Sequence, residues 1–188
     1  MEDTKIINEV IEYLDYLERP NENFGGMAVC PFLRKERVTK NLMIEIWRPN
    51  ENSFFELLDK FVESDKTSAV LVCMDTDGIM WEEIGRNKYQ SAMQIAMEEK
   101  GYKQQKALCF SPYEDWSVAG EQTRKKAPYF LINLADTDAL NEAHRSLWKT
   151  KYFDNFNEEE LKRLKVYPKN KKVINEKTNN KNSSSVRD

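Results

Sequence analysis

Ala69-Val70-Leu71-Val72-Cys73-Met74, followed by Asp75-Thr76-Asp77-Gly78, decides the fold class. Six consecutive apolar residues leave no polar face, the pattern of a strand covered on both sides. Such strands belong to parallel or mixed sheets flanked by helices, and the turn residues at 75–78 close this one. Upstream, Leu42 to Trp47 has strand composition and stops at Arg48-Pro49-Asn50. Between the two strands, Ser53 and Glu56 form a capping box, opening a helix whose Phe54, Leu57, Leu58, Phe61 and Val62 share one face. Downstream, a helix is expected from about Ile79 to Lys100, with Gly101 at its C-cap.

Ala107–Phe110 and Tyr129–Leu134 read as the third and fourth strands, then helices from about Asp138 to Lys149 and near Glu158 to Leu164. At the start of the chain, Ile6, Ile7, Val10, Ile11, Leu14 and Leu17 recur at helical spacing, with Thr4 as N-cap and Pro20 beyond the end. The Gly25-Gly26 pair lets the backbone turn sharply. Strands joined through helices run parallel by right-handed crossovers. The last two strands are separated by some 18 residues without a clear helix, which suits an antiparallel pair. The expectation is a single α/β domain over residues 1–164, a four-stranded mixed sheet with flanking helices.

The chain has 188 residues, 40% hydrophobic and 32% charged, enough for one core. No apolar run reaches the roughly 18 residues of a membrane helix, and no signal-peptide pattern opens the chain. The three cysteines, Cys30, Cys73 and Cys109, cannot all pair within one chain and show no CxxC spacing. Zinc, any other metal and any cofactor are therefore not expected, and a reducing, cytoplasmic setting is. Cys73 and Cys109 read as small hydrophobes inside strands. Residues 165–188 hold six lysines and Arg187 against Glu176 and Asp188, in a polar segment expected to be a disordered basic tail. The acidic remainder disfavours a nucleic-acid partner and leaves a small anionic molecule or a protein.

Three constellations carry the chemistry. Cys30-Pro31-Phe32-Leu33-Arg34-Lys35 suggests a helix starting at Pro31 with Cys30 as its N-cap. There the helix dipole and Arg34, Lys35 and Arg37 would favour a thiolate; the alternative is a structural cysteine before a loop proline. Asp75-Thr76-Asp77-Gly78 after a strand resembles the first motif of haloacid-dehalogenase-type phosphohydrolases. That resemblance implies Asp75 as nucleophile, Asp77 as acid/base and a Mg²⁺ ion, with Ser111, Lys125 and the Asp136/Asp138 pair in supporting roles. An Asp-x-Asp-Gly helix-capping turn accounts for the same residues. The segment Phe110 to Tyr129 is a long loop rich in aromatics and proline. In it Arg124 would bind a carboxylate or phosphate, and Tyr113, Trp116 and Tyr129 would line the site or pack.

Cys30-Pro31-Phe32, Phe110-Ser111-Pro112 with Ala119-Gly120, and Thr123-Arg124 with Pro128-Tyr129 together resemble the DUF1415 family of bacterial proteins of unknown function. The likeness covers roughly residues 22–150. It departs at Ser111, where the family has His, and at Asp136-Thr137, where it has Arg-Glu. The resemblance implies candidate residues and no reaction. Cys-Pro-Phe with a later Ala127-Pro128-Tyr129 is also similar to glutaredoxin-like and glutathione-transferase-like proteins, which implies a thiolate beside a cis Pro128. Three functions follow as expectations. The first is a thiol-active enzyme with Cys30 as nucleophile or redox thiol, and with Arg124, Tyr113, Trp116, Tyr129 and Arg34 holding a small anionic substrate. The others are a non-catalytic protein-interaction module that meets a partner through the aromatic loop and basic tail, and a Mg-dependent phosphohydrolase built on Asp75 and Asp77.

Overall fold

A computed structural model describes residues 2–74, 85–113, 117–119, 121–122 and 125–163. The basic tail expected over 165–188 lies outside these residues. In chain order the elements are α1 (Glu2–Leu17), a 3-10 turn (Glu22–Phe24), α2 (Leu33–Val38), β1 (Leu42–Trp47), α3 (Phe54–Glu63), β2 (Ser68–Cys73), α4 (Arg86–Glu99), β3 (Gln105–Phe110), β4 (Ser117–Val118), β5 (Glu121–Gln122), β6 (Phe130–Asp136), α5 (Thr137–Leu147) and α6 (Glu158–Arg163).

The main sheet has four strands in the order β1-β2-β6-β3. β1 runs parallel to β2, and β6 is antiparallel to both its neighbours, β2 and β3. The mixed α/β sheet and the antiparallel last pair are as read from the sequence. β6 enters the middle of the sheet, between two strands that a helix joins. β1, β2 and β3 thus point the same way, and their carboxyl ends share one end of the sheet. β2 is buried at five of its six positions, as its unbroken apolar run requires.

α3 and α4 cover one face, over a core that includes Leu58, Leu71, Met97, Cys109 and Ile132. The capping box of α3 is present: Glu56 N–H donates to Ser53 Oγ at 3.2 Å and Ser53 N–H to Glu56 Oε2 at 2.8 Å. α1 covers the other face, burying Ile6, Val10, Tyr13, Leu14 and Leu17 over Val70, Val72 and Leu131. A third cluster, of Phe24, Ala119, Leu147, Tyr152, Phe153 and Phe156, joins the 3-10 turn and the β4–β5 hairpin to the end of the chain described. Gly25 makes this possible. Its φ is +65°, and a Cβ there would stand 2.6 Å from Lys151 Cβ and 2.9 Å from the Lys151 carbonyl carbon.

Several boundaries move for local reasons. α1 begins at Glu2, so Thr4 lies inside it. α2 begins at Leu33, two residues after the expected start, with Phe32 as N-cap and no side-chain cap. Cys30 is therefore a turn residue ahead of the helix, its carbonyl accepting from Leu33 N–H at 3.2 Å. α4 ends with Lys100 as C-cap and Gly101 after it at φ +98°. The Ala127–Pro128 bond is trans, so the cis proline of the glutathione-binding likeness is absent.

Candidate functional site

Cys30 hangs from the end of α1: its N–H donates to Leu17 O at 3.2 Å, and the side chain is half-buried against the α1 core. Burial pushes the thiol up from 9.0 to about 11, with the Glu18 and Glu36 carboxylates adding to the rise. The backbone N–H groups of Leu33 and Phe32 bond to the sulfur and oppose it only in part. Carboxylates therefore shape the field here, where the sequence suggested cations. Arg37 bonds to Asp15 at 2.6 Å and Glu18 at 2.7 Å, and Arg34 points into solvent. A thiol so placed keeps its proton at neutral pH. A shallow cleft of about 390 Å³, with Tyr16, Arg19, Glu22 and Val29 in its wall, opens nearby, and Cys30 is not among its lining residues.

The long loop does reach the Cys30 segment. Val118 and Ala119 pack with Val29 and Phe32 in the aromatic cluster, and the Tyr152 hydroxyl donates to Val29 O. Two stretches some ninety positions apart thus fold together. Arg124 and Trp116 lie outside the described residues. Tyr113 is exposed at the carboxyl end of β3, where its N–H donates to Ser111 Oγ at 3.1 Å. The Tyr129 hydroxyl donates to the Glu9 carboxylate, which raises the phenol to about 12 and ties α1 to the start of β6.

The residues nominated for phosphoryl transfer are described only in part. Asp75 and Asp77 lie outside the described residues, beyond the carboxyl end of β2. Asp136 and Asp138 stand at the other end of the sheet, because β6 is antiparallel: Phe130 lies opposite Cys73, and Ala135 opposite Ser68. Six strand residues at about 3.4 Å each put Asp136 roughly 20 Å from Cys73, the last residue of β2. Asp136 is instead the N-cap of α5, accepting N–H bonds from Asp138 at 3.0 Å and Ala139 at 2.9 Å. Ser111 is buried, 2% exposed, and its Oγ accepts from Tyr113 N–H. Among the described residues no group of three His, Cys, Asp or Glu side chains is placed to hold a metal ion. No described helix is long and apolar enough to cross a membrane.

Sequence reasoning missed the contrast between the two sheet edges. At β3 the outward backbone is capped by α4: Gln90 Oε1 accepts from Cys109 N–H at 2.9 Å and Gln94 Oε1 from Ala107 N–H at 3.2 Å. Gln94 Nε2 also donates to Gln105 O at 3.3 Å. The match is geometric, since four helix residues rise about 6 Å and two strand residues about 6.8 Å. Glutamines at i and i+4, ahead of a strand with its own i, i+2 groups, were the available signal.

Among the described residues β1 has no such cover. Ser68 N–H donates to Asn41 O at 3.4 Å and Met74 N–H to Trp47 O at 2.8 Å, so the odd-numbered residues of β1 bond to β2. The N–H and C=O groups of Leu42, Ile44 and Ile46 point the other way. Among the described residues none of them has a partner on that side. Leu42 to Ile46 are all half-buried, unlike β2 beside them. No protein family, no curated protein and no solved structure matches the chain.

Proposed function

We propose that the chain is a non-catalytic protein-interaction module that binds an extended strand along the open edge of β1. The observation that carries this reading is the unequal treatment of the two edges. Uncapped strand edges template pairing with other chains, so a fold that closes one edge and leaves the other open has a directional binding element. Three N–H and three C=O groups are available there, each bond worth about 0.5–1.5 kcal/mol net. The flanking side chains supply the apolar contact. Thiol chemistry at Cys30 is the weaker reading, because burial first, and then the Glu18 and Glu36 carboxylates, favour the protonated form.

Amide hydrogen exchange on dilute protein tests the reading. The amides of Leu42, Ile44 and Ile46 are expected to exchange as open groups, while those of Ala107 and Cys109 are protected by their glutamine caps. Protection of all three β1 amides at every dilution would mean that the chain covers its own edge, and the reading would fail.

A further inference from the structure

We propose that the occupant of the β1 edge is a second copy of this chain, paired antiparallel about a two-fold axis through Ile44. This rests on the edge reading above and names its partner. Two four-stranded sheets then become one continuous sheet of eight.

The register is self-complementary. In an antiparallel pair, directly opposed residues exchange both backbone bonds at alternate positions. With Ile44 facing its own symmetry mate, Leu42 faces Ile46 of the other copy. Every outward N–H and C=O of both strands is then used, and a shift by two residues strands some of them. The side chains agree: Ile44 meets Ile44 and Leu42 meets Ile46 on one face, and Met43 meets Glu45 on the other. No like charges stand directly opposite within the paired strands, and each Glu45 stays with its own Lys60 at 2.6 Å.

The flank of α1 continues this surface. Asp3, Ile7, Ile11 and Asp15 recur every four residues and form one row along the helix. That row faces β1, because Asp3 bonds to Arg48 just after β1 and Asp15 to Arg37 ahead of it. Ile7 and Ile11 are half-buried and belong to none of the three core clusters. The two-fold axis brings the α1 helices of the two copies side by side, with these isoleucines in the shared groove.

Charge at the ends fits as well. After β1, Arg48 is held by Asp3 and lies 3.8 Å from Glu51, a triad of net charge −1. Before β1, Lys40 is exposed and has no ion-pair partner among the described residues. The axis sets each Lys40 opposite the other copy's Arg48, whose positive charge Asp3 and Glu51 together outweigh.

Disulfide trapping reads both partner and register. Across a bonded antiparallel pair the Cα atoms are about 5.5 Å apart, inside the disulfide range of about 4.4–6.8 Å. Ile44→Cys is therefore expected to give a covalent dimer under mild oxidation, as is the double variant Leu42→Cys/Ile46→Cys. Leu42→Cys alone sits roughly 15 Å from its mate and is expected to remain monomeric on a non-reducing gel. Ile44→Pro removes an outward N–H and spares the ladder to β2. It is expected to keep the wild-type circular dichroism and to weaken association by roughly tenfold to hundredfold in sedimentation velocity.

Efficient trapping of Leu42→Cys alone would overturn the register. Wild-type protein that stays monomeric across the concentration series, with its β1 amides exchanging freely, would overturn the second copy as partner and leave the edge reading standing. Protected β1 amides in the monomer would remove both.

Discussion

Alkylation of Cys30 separates a structural thiol from a reactive one, and the structure sets the size of the effect. The native thiol is raised from 9.0 to about 11, so at pH 7 its thiolate fraction is about a hundredfold below that of an ordinary thiol. A more basic thiolate is a better nucleophile, with a Brønsted slope of about 0.4–0.5. Over two units that recovers roughly tenfold. The net expectation is a rate at least about tenfold slower than free cysteine, lowered further by partial burial. The assay is a time course of iodoacetamide labelling of native protein at pH 7, read by mass spectrometry on the Cys30 peptide, with free cysteine as internal reference. Labelling as fast as the reference would refute the argument, since it requires a thiolate that burial, and then the Glu18 and Glu36 carboxylates, oppose. The same shift has a thermodynamic sign. The folded state holds this proton more tightly than the unfolded state, so the stabilisation is intact below about pH 9 and is lost as pH rises toward 11. The loss is on the order of 2 kcal/mol, measured by urea unfolding across that range and compared with Cys30→Ala.

Gly25→Ala and Gly26→Ala both place a side chain at positive φ, but only the first meets Lys151. The left-handed backbone costs about 1–2 kcal/mol in each, and overpacking adds roughly 1–3 in Gly25→Ala. Equal denaturation midpoints for the two would contradict the close approach. Glu160→Ala leaves the N–H groups of Ala119 and Asn157 without the carboxylate that accepts them at 2.9 and 2.8 Å. It should cost roughly 2–4 kcal/mol, and a melting temperature within about 2 °C of wild type would show that this buried carboxylate is dispensable. Gln90→Ala/Gln94→Ala opens the second edge, with faster amide exchange at Ala107 and Cys109. Unchanged exchange at those two positions would show that the glutamines do not protect them.

Local patterns made much of the framework legible. The apolar run at 69–74, the capping box at Ser53 and Glu56 and the helical spacing of Ile6 to Leu17 each depend on neighbours within a few residues. The backbone periodicity that reads them is the same in any context. The α2 boundary was harder, because proline favours a helix start without fixing one, and here the chain turns through Cys30–Leu33 first.

Sequence by itself determined the four strands of the main sheet, the one among them that must be buried on both faces, and the two cysteines that fill space within strands. Tertiary structure alone decided that β6 slots between β2 and β3, which sends Asp136 and Asp138 to the far end of the sheet from the carboxyl end of β2. It also decided that carboxylates rather than cations face Cys30, that Glu160 reaches back to Ala119, and that one sheet edge is capped while the other has no partner among the described residues. The reason is one of range. Element propensity follows from the chain's own few-residue sterics and hydrogen bonding. Edge exposure and the field at a thiol depend on groups tens of residues away, whose positions follow only when the whole core closes.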